Sequence, residues 1–183
     1  MTVLFFLADG FEETELIAPV DILRRAGVDA KLVSIEDTLT VTGSHGIVIY
    51  ADMFASDALE VEFGAIVFPG GLKGTERLKG SVWTEKFLKT AMENGAYVGA
   101  ICAAPTILAK FGLLEGKNFT CYPSMEEQVE EGIYSSKSVV CDDLFVTGEA
   151  MGSSMEFGFK LCELTMGKDV AEQIKNEICY KEN

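Results

Sequence analysis

The chain has 183 residues, 48% of them hydrophobic and 24% charged, which fits one folded domain over 1–183 and excludes a disordered chain. With a formal net charge of −14 and a pI of about 4.4, it repels phosphate backbones and anionic lipid surfaces, so neither nucleic acid nor a membrane is an expected partner. Five cysteines with no CxxC pair, and His45 as the one histidine, argue against a disulfide framework and against a Cys/His metal site.

Val3–Ala8 is a buried strand. It is too short for a signal segment, and Asp9, Glu12 and Glu13 follow it, so a cytoplasmic protein is expected. Asp9-Gly10 turns the chain into a helix that runs to Ala26 and closes at Gly27, with Leu16, Ile17, Val20 and Leu23 as its apolar stripe. Ala30–Ser34 is the next strand, which makes the first unit a right-handed parallel crossover. Thr38–Tyr50 reads as a hairpin flap around Gly43-Ser44-His45-Gly46. Ala65–Pro69 is a buried strand ending in Gly70-Gly71, and Ser81 caps a helix to Asn94 with Gly95 after it.

Tyr97–Ile101 is a further buried strand, and Pro105 opens the helix beyond it, where a missing N–H costs nothing. Phe119–Tyr122 reads as a short strand, Ser124 as the cap of a brief acidic helix, and Ser138–Cys141 and Leu144–Thr147 as two strands around Asp142-Asp143. A loop at Gly148–Gly152 leads to helices over Ser153–Thr165, capped by the Ser153/Ser154 pair, and Val170–Ile178. Strands alternating with helices predict a three-layer α/β sandwich, a mainly parallel sheet with helices on both faces.

Ligands in such sandwiches bind beyond the C-terminal strand edges, where Asp9–Glu15, Pro69–Gly71 and Cys102 converge. Cys102 stands between strand and helix among Gly99, Ala100, Ala103 and Ala104, the position of a nucleophile elbow. A helix N-terminus there favours the thiolate; a buried structural cysteine is the plainer reading. Glu15 lies a turn inside the first helix. It either faces water and complements the helix dipole, or points back over the sheet edge as a protonated carboxyl beside the thiol. Gly70-Gly71 is either an ordinary turn or, with the Ala103 N–H, a set of backbone donors at Cys102. No Cys-His dyad is evident, because the flap places His45 away from the strand edge, on the surface or in an interface.

Four segments together resemble the ThiJ/PfpI superfamily, in the branch of the parkinsonism-associated deglycase: Ala8–Gly27, Val67–Gly71, Ala100–Pro105 and Gly152–Gly158. The resemblance implies a flavodoxin-like fold of the class I glutamine-amidotransferase type, a nucleophilic, oxidation-sensitive Cys102, a carboxylic acid at Glu15 bonded to it, and backbone donors at Gly71 and Ala103. It further implies a homodimer with Arg25 and His45 near the two-fold axis. Tyr122 stands where many members carry a histidine, which disfavours a peptidase and leaves Cys102 and Glu15, with Gly70 and the Tyr122 hydroxyl in support. The implied activity is cofactor-free and acts on a small carbonyl substrate, as a glyoxalase III or deglycase; the alternative is a redox sensor or redox-gated chaperone using the same cysteine without turnover.

Overall fold

Every residue from Val3 to Ala8 is fully withdrawn from solvent, because alternate side chains of β1 (Thr2–Leu7) enter two different cores. Val3, Phe5 and Leu7 face one, and Leu4, Phe6 and Ala8 the other. Each such Val, Leu or Phe contributes roughly 1.5–3 kcal/mol of burial. The computed structural model describes residues 1–181. After β1 it places α1 (Glu13–Arg25), β2 (Asp29–Ser34), the antiparallel hairpin β3 (Thr40–Thr42) and β4 (Val48–Tyr50), β5 (Met53–Phe54) and β6 (Ala65–Phe68). Then come α2 (Leu72–Gly80), α3 (Val82–Asn94), β7 (Tyr97–Ile101) and α4 (Pro105–Lys110). The chain continues through β8 (Asn118–Phe119), β9 (Ile133–Tyr134), β10 (Val139–Asp142), β11 (Phe145–Gly148), α5 (Ser154–Met166) and α6 (Lys168–Glu177).

Seven strands form one sheet in the order β10-β11-β7-β6-β1-β2-β5, parallel throughout except for the β10–β11 pair. Side chains of α1, α5 and α6 fill the core on one face, and those of α2, α3 and α4 the core on the other. This is the expected three-layer sandwich. Ser81 caps α3 by accepting the Trp83 N–H at 3.2 Å, and Gly95 closes that helix, both as expected.

Several local expectations need correction. Leu72–Gly80, which the sequence reading leaves unassigned, is a helix whose two glycines and charged residues mask the pattern of buried Gly74, Thr75 and Leu78. Phe119–Tyr122 is strand only at its start: Asn118 and Phe119 pair with β9 in a separate two-stranded sheet, while the Thr120 N–H donates to the Thr147 hydroxyl and the Tyr122 N–H to Cys102 O instead of to a ladder partner. Ser124 caps nothing; it sits at φ 74° before a single 3₁₀ turn, Glu126–Gln128. Ser153 occupies the N-cap position of α5, but its hydroxyl donates to Ala150 O (2.7 Å) and so closes the preceding loop. Ile17 is exposed rather than part of the buried stripe of α1.

Candidate active site

The turn after β7 holds Cys102 at φ 64°, a left-handed conformation that costs a residue with a Cβ on the order of 1–3 kcal/mol. Tertiary hydrogen bonds keep it there. The Cys102 N–H donates to Gly148 O and the Tyr122 N–H donates to Cys102 O, both at 2.9 Å. Ala103, Ala104 and Pro105 fold under it into α4, and the Thr106 hydroxyl donates back to Ala103 O at 2.8 Å. The thiol is therefore presented at the C-terminal edge of the sheet, half-buried, as a nucleophile elbow would present it.

Glu15 resolves in favour of the buried alternative. It is 1% exposed, and Oε2 accepts the Gly70 N–H at 2.8 Å while the carboxyl contacts the Cys102 thiol. Gly70 is wedged between the two groups: a Cβ there would lie 2.5 Å from Glu15 Oε2 and 2.7 Å from Cys102 Cβ. Gly71, at φ 86°, packs its Cα against the backbone of Gly10–Glu12, where a side chain has no room. The N–H groups of Gly71 and Ala103 both donate toward the Cys102 sulfur.

Burial dominates the electrostatics. It lifts the Glu15 carboxyl to about 7, against the hydrogen bonds from Cys102 and Gly70, with Glu12 adding repulsion. It also pushes the Cys102 thiol up to about 12, reinforced by the neighbouring Glu15 charge and only partly offset by the Gly71 and Ala103 N–H groups. The expectation of an easily ionised thiol is thus reversed. At neutral pH the resting pair is a thiol beside a carboxyl poised to take its proton.

A cavity of about 850 Å³ opens over the thiol. Glu15, Gly71, Ala103 and Tyr122 line it as expected, with Tyr122 half-exposed. His45 lines it too, which corrects its placement away from the strand edge. The flap folds back because Glu13, itself 5% exposed, anchors it: Oε1 accepts the His45 N–H at 2.7 Å, and Oε2 lies 3.0 Å from His45 Nδ1. Burial acts to raise Glu13, but these bonds and the Ile47 N–H together bring it down to about 2, and the Glu13 hydrogen bond with the nearby Glu12 and Glu13 charges raises His45. Glu12, Glu13 and His45 hold their ligand atoms within 4.8 Å of one another, a spacing that hydrogen bonding between them already accounts for. Arg25 lies outside the cavity, exposed and paired with Asp21 at 2.6 Å. Leu72 and Lys73, which sequence reasoning missed, line it as well, as do Met125 and the Ala150, Met151 and Gly152 part of the loop at Gly148–Gly152. The signal for Leu72 and Lys73 was their place directly after Gly71.

A model of the DJ-1/PfpI family matches residues 1–164. Protein DJ-1 homolog B of Arabidopsis thaliana is 37% identical over 183 residues, which are 99% of this chain and 42% of that protein. The chain thus spans less than half the length of this relative, and the same holds for the Arabidopsis homolog A, at 47%. Protein dj-1beta of Drosophila melanogaster is 35% identical over 174 residues, 93% of this chain and 92% of that one. The glutathione-independent glyoxalase DJR-1.2 of Caenorhabditis elegans is 30% identical over 170 residues, covering 92% and 90%. Among solved structures, oxidized Toxoplasma gondii DJ-1 aligns with a TM-score of 0.95 at 33% identity over 99% of both chains. Drosophila DJ-1beta aligns with the same score and identity over 99% and 98%.

Proposed function

The chain belongs to the DJ-1/PfpI family, and from that premise we propose that it is a cysteine-dependent, cofactor-free glyoxalase III or deglycase acting on α-oxoaldehydes or their early adducts. The observation that carries this reading is the buried Glu15 carboxyl, near pH 7 in its titration, in contact with a thiol that needs a base. The name of the Caenorhabditis relative supports the reaction class.

The steps follow from the groups present. Cys102 sulfur attacks the aldehyde carbon while Glu15 takes the thiol proton, and the C=O electron pair moves onto oxygen, where the N–H groups of Gly71 and Ala103 are available as donors. Glu15 returns its proton to that oxygen, giving a hemithioacetal. The carboxylate then removes the hydrogen on the same carbon, and the electron pair of that C–H bond forms a C=C bond while the adjacent C=O pair moves onto its oxygen. That oxygen takes the hemithioacetal hydroxyl proton as the first C=O re-forms, and Glu15 delivers its proton to the adjacent carbon, leaving a thioester of a 2-hydroxy acid. Water cleaves the C–S bond and restores the thiol. The sum is one oxoaldehyde plus one water to one hydroxy acid, with no external oxidant or reductant. A carboxyl titrating near 7 serves both directions of proton transfer at neutral pH.

Purified protein is expected to form lactate from methylglyoxal, and a Cys102→Ser control is expected to form none; equal rates in the two proteins would remove this reading. The solved structure of an oxidized Toxoplasma relative supports a second reading, in which two equivalents of peroxide take Cys102 through the sulfenic acid to a sulfinate held by the same donors, with no turnover. Many turnovers per site would exclude that reading as the main role. For assembly, the proposal is a homodimer through α1 and the flap, where Ile17, Ile47, Val48 and Tyr50 are exposed on the two elements that also carry Arg25 and His45.

A further inference from the structure

The cavity over Cys102 is larger than a three-carbon oxoaldehyde requires: its 850 Å³ lies within the range of about 300–1,000 Å³ typical of pockets for drug-sized ligands. Its walls explain what else it holds. Leu72, Tyr122 and Met151 line it and are each at least half exposed, and Met125 joins them. The charged groups in the lining are Glu12, Glu15, His45 and Lys73. Glu12 is taken up by Ser44 and His45, Glu15 by Gly70 and Cys102, and His45 by Glu13.

Lys73 differs from these. Among the described residues its ammonium has no hydrogen-bond or ion-pair partner, although the chain carries 29 acidic against 15 basic side chains. The base of its side chain is nevertheless fixed. Gly74 N–H donates to Gly10 O at 3.2 Å, and a Cβ on Gly10 would fall 2.6 Å from Lys73 Cβ, so the first turn of α2 is packed hard against the β1–α1 loop. A fixed base with a free charged end, beside apolar walls and a reactive thiol, is a recognition element for a negative group on an otherwise apolar ligand.

We infer that the preferred carbonyl substrate carries a carboxylate on an apolar body, and that Lys73 is the residue that selects it. This rests on the enzymatic reading of Cys102. A single uncompensated cation matches one negative charge; a dianionic phosphate would add repulsion from Glu12, Glu15 and the net charge of −14.

The test compares phenylglyoxal with 4-carboxyphenylglyoxal, which differ only in the carboxylate, in the wild type, Lys73→Gln and Lys73→Arg. Because Lys73 is exposed, the expected preference of the wild type for the carboxylated compound is about three- to fivefold in kcat/KM, expressed in KM and weakened by salt. It disappears in Lys73→Gln and persists in Lys73→Arg. Equal use of the two compounds by the wild type, or a preference unchanged in Lys73→Gln, overturns the inference. A readout independent of turnover is the ratio of Cys102 alkylation rates by iodoacetate and iodoacetamide. If neither glyoxal is consumed above the Cys102→Ser background, the enzymatic reading fails and this ratio decides alone: a fall in Lys73→Gln keeps the anion-selecting role, and no change ends it.

Discussion

The Oε2 atom of Glu15 accepts the Gly70 N–H at 2.8 Å while the same carboxyl meets the thiol of Cys102, so one desolvated corner holds both acids and neither ionises in its ordinary range. Gly70 packs against both, and the left-handed φ of Cys102 aims the sulfur at the carboxyl. The corner has consequences for stability, reactivity and assembly.

Glu15 binds its proton more tightly in the folded chain, near 7, than at the ordinary value of 4.5. The folded state therefore holds more protons between pH 4.5 and 7, and stability from this group is fully present below that window and lost as pH rises through it. The loss is at most about 3 kcal/mol. Glu15→Gln, neutral and of the same shape, is expected to melt above the wild type at pH 8 and close to it at pH 5, while losing turnover. A variant melting lower than the wild type at pH 8 would show that the carboxylate stabilises the fold.

Cys102 alkylation by iodoacetamide is expected to keep accelerating above pH 10, since its thiol is raised to about 12. In Glu15→Gln the repelling charge is gone, so the rise should begin at lower pH. Peptide-resolved mass spectrometry across pH 6–11 reads both profiles. A plateau below pH 8 in the wild type would mean that the backbone donors outweigh burial.

Gly70→Ala places a methyl group 2.9 Å from Ile101 O as well as against Glu15 and Cys102. Overpacking of this kind costs about 1–3 kcal/mol. Chemical denaturation should show that loss, and the pH profile of Cys102 alkylation should shift because the carboxyl is displaced. Unchanged stability would mean that the strand edge yields more easily than its packing suggests.

Glu13 works in the opposite sense. Its carboxyl is lowered to about 2, so the stability it lends is present above 4.5 and is lost as pH falls toward 2. Glu13→Ala leaves the His45 N–H without its acceptor and is expected to speed hydrogen exchange over residues 43–48 at pH 7, with little change in β6 or β7. Equal protection of the flap in both proteins would refute its role as anchor.

Tyr50 and Val48 are 72% and 56% exposed on the flap. If the proposed dimer forms through this face, Tyr50→Asp should shift the protein from dimer to monomer in light scattering. A wild type that is monomeric at high micromolar concentration would end that proposal.

Much of this was legible in one dimension. The apolar runs Val3–Ala8, Ala65–Phe68 and Tyr97–Ile101, separated by helical stripes and glycine stops, are enough to require a parallel sheet covered on both faces, because only such a strand buries both of its sides. The elbow at Cys102 follows from small residues and Pro105 around it, and Glu15 from its place near the start of α1, which the structure puts in the first turn. What remained open was direction and surroundings. Whether Glu15 faces water or the thiol depends on the β6–α2 turn, 55 residues away, whose Gly70 N–H captures it. Whether the Cys102 thiol ionises early or late depends on the balance of burial against two backbone donors, and burial wins only once the neighbouring loops close over it. His45 reaches the cavity through a buried carboxylate 32 residues before it, and Lys73 stands in the lining because Gly10 lets α2 approach. Periodicity and turn chemistry act between near neighbours and so define elements; desolvation and charge pairing act between segments distant in sequence, and only the folded chain brings those together.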